Sequence, residues 1–120
     1  MTKNHRKEDI ERLLSGESQY KEIWVELEDG QVIMALINRD WGWLMYLRNA
    51  EGDAGFSTIN PDCQNPQKKI EYILDNGQHD EYPAAWAYPI DTVRAALHEF
   101  VETHRIPVCV CWQDNALGIG

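Results

Sequence analysis

Two segments of alternating apolar residues, joined by an Asp-Gly turn, constrain the fold of this chain most strongly. In residues 22–28 every second side chain is apolar, namely Ile23, Val25 and Leu27. This period of two is typical of a β-strand with one buried face. Asp29-Gly30 favours a tight hairpin turn, and residues 31–38 supply the returning strand. The sequence therefore predicts an antiparallel sheet.

The rest of the chain adds strands and two helices. Residues 43–48, 56–59 and 70–74 are short strand candidates, and residues 39–42 and 75–78 are predicted turns. Residues 6–14 have the apolar spacing of a short helix. A longer helix is predicted to be capped by Asp91, and its apolar stripe consists of Val93, Ala96, Leu97, Phe100 and Val101.

The final segment, residues 108–112, is apolar on both faces, which favours a central position in the sheet. The predicted fold class is α+β, in one domain covering residues 1–120. It comprises a mostly antiparallel sheet of five to seven strands, with an N-terminal helix and a long C-terminal helix packed on it. The chain is predicted to end in a central strand.

Charge limits the partners of such a domain. Eleven Lys and Arg residues against twenty Asp and Glu residues give a formal net charge of −9. This field repels nucleic acid and anionic lipid, and it attracts basic partners. The sequence has no apolar run of the length that a membrane span requires, and its first residues do not resemble a signal peptide. We therefore predict a cytoplasmic protein that binds neither nucleic acid directly nor a membrane.

Catalytic and metal-binding patterns are absent from the sequence. His98 and His104 are six residues apart on the predicted helix, which places them on opposite faces. The sequence has no zinc-ligand spacing and no phosphate-binding glycine loop, so we predict no metal and no cofactor. Cys63 has no adjacent base, and a pair such as Asp80 and Glu81 is a weak signal among twenty carboxylates. The chain is predicted not to be an enzyme.

Aromatic residues beside acidic ones indicate an interaction surface instead. Trp and Tyr contribute strongly at protein interfaces, because a rigid ring fills a pocket and its polar atom finds a partner. About half of the rings are expected to belong to the core, Trp24 and Trp112 foremost. The predicted binding residues are Asp75, Asn76, Gln78, Asp80, Glu81, Tyr82 and Trp86, with Asp40, Trp41 and Trp43 as second choice.

The segment from Tyr88 to Gln113 resembles the end of a bacterial immunity-protein family of polymorphic toxin systems, often encoded beside deaminase-fold toxins. The matching positions are Pro89, Ala95, Ala96, Phe100, Pro107 and Trp112. A weaker similarity covers residues 44–47 with Gly52 and Gly55. The resemblance implies an antitoxin that blocks the active-site cleft of a cognate toxin, often a nucleic-acid deaminase. The matching positions are structural and carry over no toxin contact.

Two other functions remain open on the sequence alone. One is a small-molecule binding module whose aromatic end forms a pocket. The other is an enzyme that uses Cys63 or a pair of carboxylates. A toxin gene directly upstream would distinguish the antitoxin from both.

Overall fold

A computed structural model describes residues 7–49 and 52–117 of the chain. The two helices are α1 (Lys7–Leu14) and α2 (Ile90–Thr103). The strands are β1 (Tyr20–Glu26), β2 (Val32–Asn38), β3 (Trp41–Leu47), β4 (Phe56–Ile59), β5 (Lys69–Ile73), β6 (His79–Pro83), β7 (Tyr88–Pro89) and β8 (Cys111–Asp114). Short 3₁₀ turns follow at Ala84–Trp86 and Asn115–Leu117.

Six of the strands form one antiparallel sheet in the order β1-β2-β3-β4-β8, with β7 paired beside β3. Ile23 lies opposite Ala35, and Ala35 lies opposite Leu44, so the side chains of three strands meet on one face. Ile10 of α1 and Phe100 of α2 pack onto the same face and are fully buried. Both helices therefore cover one side of the sheet.

The opposite face carries a second structure, the β5–β6 hairpin. Tyr72 of β5 is fully buried and packs against Met34, Leu36 and Trp43 of the sheet. The molecule thus has three layers, namely helices, sheet and hairpin, and a separate apolar cluster lies in each of the two gaps.

The α+β class, the antiparallel sheet and both helices are confirmed. The alternating pattern that predicted β1 matches its burial, since Ile23, Val25 and Leu27 are buried in the helix-side core. β2 is buried on both faces, because the helices cover one side of it and the β5–β6 hairpin covers the other. The first helix is described from Lys7, so the predicted position 6 lies outside the described residues.

The predicted central position of the last strand is wrong. The strand begins later, at Cys111, and among the described strands it pairs with β4 alone, so it lies at the edge of the sheet. Within the preceding segment Val110 is buried in the helix-side core, whereas Val108 is 84% exposed. The segment is apolar, but only part of it is buried: Val108 N–H donates to a Glu99 carboxylate oxygen of α2 at 2.8 Å, while its side chain faces solvent.

The start of α2 also differs from the prediction. Pro89, with φ −58° and ψ 150°, occupies the cap position, and the first helical N–H, that of Ile90, donates to the Asp40 carbonyl oxygen at 2.8 Å. Asp91 therefore lies inside the first turn, where its carboxylate pairs with Arg94 at 3.1 Å. At this position its negative charge also interacts favourably with the positive end of the helix dipole. The turn between β2 and β3, which was predicted over residues 39–42, consists of Arg39 and Asp40 alone, because Trp41 already pairs with Asn38.

Candidate interaction surface

The tip of the β5–β6 hairpin is a tight turn that presents polar side chains to solvent. Leu74 N–H donates to Gln78 O at 2.9 Å, and Gly77 allows the turn with φ +89°. The Asn76 side-chain oxygen accepts from Gln78 N–H at 2.9 Å, and this hydrogen bond stabilises the turn. Asp75, Asn76 and Gln78 are all exposed, as a binding role requires.

The outward side of the hairpin carries two carboxylates directly opposite each other. Glu71 of β5 pairs in register with Glu81 of β6, and both are exposed. Like charges at directly opposed positions destabilise a strand pair. His79 Nδ1 lies 3.0 Å from a Glu71 oxygen and offsets part of this repulsion when the ring is protonated. The outer face is therefore unfavourable in isolation and suited to a cationic partner.

Three of the four aromatic residues predicted to bind a partner, Tyr82, Trp43 and Trp86, meet on the side of the hairpin that faces the sheet. The Tyr82 ring lies 4.7 Å from that of Trp43 and 5.7 Å from that of Trp86, and Trp43 is only 3% exposed. Burial, together with the nearby Asp80 carboxylate, raises the pKa of the Tyr82 hydroxyl. These three rings attach the hairpin to the sheet, and Trp43 offers no surface to a partner.

Asp80 shares this inward orientation. Its carboxylate accepts from Gln78 Nε2 at 2.8 Å and from the Tyr82 hydroxyl at 3.2 Å, and the residue is half-buried. The neighbouring Glu81 points outward because successive residues of a strand face opposite sides. Asp80 therefore braces the hairpin, whereas Glu81 is available to a partner.

An exposed tryptophan lies at the tip end of the hairpin. Trp24 is 45% exposed, so its predicted place in the core is wrong. It faces the hairpin side of the sheet because Ile23 and Val25, its neighbours in β1, face the helices. Glu22 joins it to the hairpin: one carboxylate oxygen accepts from Trp24 Nε1 at 2.6 Å, the other from Asp75 N–H at 2.9 Å.

A second exposed tryptophan lies at the base of the hairpin. Trp41 is 44% exposed at the start of β3, beside the exposed Asp40. Within residues 9–49 and 52–116, whose burial the structure describes, large hydrophobic residues are exposed at four positions, and both tryptophans among them flank the hairpin. The other predicted binding rings, those of Trp43, Tyr82 and Trp86, pack against one another. Trp112 is half-buried against the helix-side core, as expected.

Three residues of this surface were missed from the sequence, namely Glu22, Trp24 and Glu71. A signal for Trp24 was present, since it occupies the polar side of an alternating strand. Glu71 could not be recognised, because its importance depends on its register with Glu81. We call the surface formed by Glu71, Asp75 and Glu81 with Trp24 and Trp41 the hairpin face.

The described part of the chain has no group of three or more His, Cys, Asp or Glu residues placed to hold a metal ion. No helix in that part is long and apolar enough to cross a membrane.

These features define a small α+β protein whose helices cover one face of the sheet and whose two exposed tryptophans flank a hairpin with exposed carboxylates on the other face. The family model described as Immunity protein Imm1 matches residues 6–114, and the chain belongs to this family. The predicted membership of an immunity-protein family is thereby confirmed, and with it a role in binding a cognate toxin protein. No curated protein matches the chain.

Proposed function

We propose that this protein neutralises a nucleic-acid-targeting toxin of the deaminase type by covering the toxin's active-site cleft with the hairpin face. Family membership supports the antitoxin role. The opposed pair Glu71 and Glu81 is the observation that carries the choice of surface, because a basic partner would relieve a repulsion built into the hairpin.

Electrostatics supports the choice of toxin class. An enzyme that grips a polyanion presents a basic groove to it. A chain with a net charge of −9, carrying acidic side chains on an exposed hairpin, complements such a groove. Binding in the groove excludes the nucleic acid, so the protein needs no catalytic group of its own.

The ten residues chosen from the sequence take different parts in this proposal. Asp75, Asn76, Gln78 and Glu81 contact the toxin directly, and Trp41 with Asp40 forms the far edge of the contact. Tyr82, Trp86, Trp43 and Asp80 act indirectly, because they hold the hairpin in place. Trp24 replaces the buried rings as the aromatic anchor at the tip end.

The test of the function is co-expression with the toxin domain encoded beside this gene. We expect cells that carry both to survive, and the two proteins to copurify as a defined complex. A toxin domain from an unrelated system is the control, and its toxicity should be unaffected. Continued killing by the neighbouring toxin, at equal expression and without a complex, would refute the proposal.

Glu81→Lys separates binding from folding. It places a lysine opposite Glu71, so the hairpin gains a favourable cross-strand pair, and stability should be unchanged or higher by about 0.5 kcal/mol. The association rate with the toxin should nevertheless fall about tenfold at low salt, because an attractive charge has become repulsive. Surface plasmon resonance at several salt concentrations measures this, and the difference should shrink as salt is raised.

Glu102→Lys is the matched control. Glu102 is exposed on α2, on the opposite side of the sheet, and its reversal changes the net charge by the same amount. It should alter the association rate much less than Glu81→Lys. Equal effects of the two substitutions would mean that only overall charge matters and that the hairpin face is not the contact.

A further inference from the structure

A cleft opens beside Trp41, where the base of the hairpin meets the β2–β3 turn and the segment of residues 60–69. Its volume is about 550 Å³, within the range of small binding pockets. Trp41 forms one wall, and Ile70, Ala84 and Ala87 also line it. The cleft therefore offers an aromatic ring and an apolar lining at the end of the hairpin face that is remote from Asp75.

Cations gather around this cleft in an otherwise acidic protein. Arg39, Lys68 and Lys69 all line it, and none of them forms an ion pair with a described residue. The cations Arg12, Arg48 and Arg94 are paired with carboxylates elsewhere. Asp40 and Asp62 also line the cleft, so its lining residues include three cations and two anions. The local balance is opposite in sign to the net charge of −9.

Arg39 occupies its position at a conformational cost. Its φ of +53° lies in the left-handed region, where glycine is unstrained and a residue with a side chain is not. The backbone is held there by the Arg39 N–H, which donates to Gln19 O at 2.6 Å, and the guanidinium reaches Gln19 Oε1 at 3.1 Å. An arginine therefore lines the cleft at a position where folding alone would favour glycine.

The walls of the cleft are fixed by hydrogen bonds. Asn60 N–H donates to Ala85 O at 2.6 Å, and its side-chain amide donates to Ala87 O at 3.0 Å. Ala84 N–H donates to Lys68 O at 2.8 Å, which joins the segment to the hairpin. The cleft is therefore largely formed before a partner arrives, so little ordering is required on binding.

We infer that this cleft receives an acidic side chain of the toxin, carried on a loop whose neighbouring apolar residue packs on Trp41. The inference rests on the proposed function and deepens it. The hairpin then has an acidic middle and tip and a cationic base, separated by about 17 Å for a five-residue strand. Two contacts of opposite sign fix the orientation of the toxin and reject toxins that lack the acidic residue.

Lys68→Glu tests the charge of the cleft. We expect the dissociation constant for the neighbouring toxin domain to rise at least tenfold, because two carboxylates would then meet inside a partly desolvated pocket. Arg105→Glu is the matched control: it reverses an exposed cation next to the end of α2 and gives the same net charge. It should leave the dissociation constant within about twofold of that of the wild type.

Two further variants separate binding from stability. Arg39→Gly removes the rim cation and relieves the positive φ, so its unfolding midpoint should not fall, while toxin affinity falls several-fold. Trp41→Ala removes the exposed ring and should speed dissociation of the complex about tenfold or more.

Cys63 gives a readout that does not depend on substitution of the cationic residues. It is half-buried and lines the cleft, whereas Cys109 and Cys111 are exposed elsewhere. In the Cys109→Ser/Cys111→Ser variant, we expect the toxin domain to slow alkylation of Cys63 by a maleimide at least tenfold. Unchanged alkylation in the complex would overturn the inference.

The failure of this inference is distinguishable from that of the proposed function. If Lys68→Glu and Trp41→Ala bind as tightly as the wild type while Glu81→Lys loses affinity, the toxin uses the acidic part of the hairpin face but neither Trp41 nor the cleft. If the toxin domain does not bind the wild-type protein at all, both proposals are wrong.

Discussion

Phe100→Ala is expected to lower the free energy of unfolding by about 3–5 kcal/mol, the range for truncation of a fully buried phenylalanine. The Phe100 side chain is 0% exposed in the centre of the helix-side core. Its ring meets that of Tyr46 edge-on, with 6.1 Å between centroids. Truncation removes this contact and leaves a cavity that α2 cannot close, because the buried Leu97 and Val101 hold the helix in place.

Urea titration followed by circular dichroism measures the change, provided that the slope of the free energy of unfolding against urea concentration is the same in both proteins. Val108→Ala is the control, since Val108 is 84% exposed and its truncation should change stability by less than about 0.5 kcal/mol. A loss below about 1 kcal/mol for Phe100→Ala would mean that the helix does not pack on the sheet through this residue.

The helices and the sheet face that they cover could be predicted, because their apolar residues recur at regular spacings along the sequence. The stripe from Val93 to Val101 recurs at spacings of three and four, and all five of its residues are buried. The alternation of Ile23, Val25 and Leu27 likewise matches their burial. In both cases one face of a regular element meets one core, so neighbouring residues carry enough information to assign that face.

The hairpin layer could not be predicted in the same way. Residues 69–83 form only a short strand pair, and what positions them is contact with residues distant in sequence, above all Trp43 and Leu36. A list of aromatic residues does not say which rings meet one another. Trp24 and Trp43 therefore exchanged their expected places, the first on the surface and the second in the interior.

The acidic stretch was recognised, but the roles of its members were not. Asp80 and Glu81 are adjacent and chemically similar, yet strand geometry directs one to the sheet and the other to solvent. A shift of the register by one residue would reverse them. Since the register depends on the turn of residues 75–78 and on packing against the sheet, composition alone could not separate a bracing carboxylate from a binding one.

Tyr72→Ala is expected to impair both stability and toxin binding, because Tyr72 is the hairpin residue buried most deeply against the sheet. The side chain is 1% exposed and packs with Met34, Leu36 and Trp43. Its truncation should lower the free energy of unfolding by about 3 kcal/mol or more. It should also weaken toxin binding, because the hairpin face would no longer be held in one position.

Tyr72→Phe should have the opposite effect on stability. The Tyr72 hydroxyl is buried with no hydrogen-bond partner among the described residues, and burial raises its pKa far above the ordinary value. Removing an unsatisfied buried hydroxyl while keeping the ring should leave stability unchanged or raise it by about 1 kcal/mol. Toxin binding should stay at the wild-type level, since the hairpin remains attached. Urea titration and surface plasmon resonance on the two variants measure both properties. Wild-type toxin binding by a folded Tyr72→Ala protein would show that the hairpin need not be fixed for the toxin to be recognised.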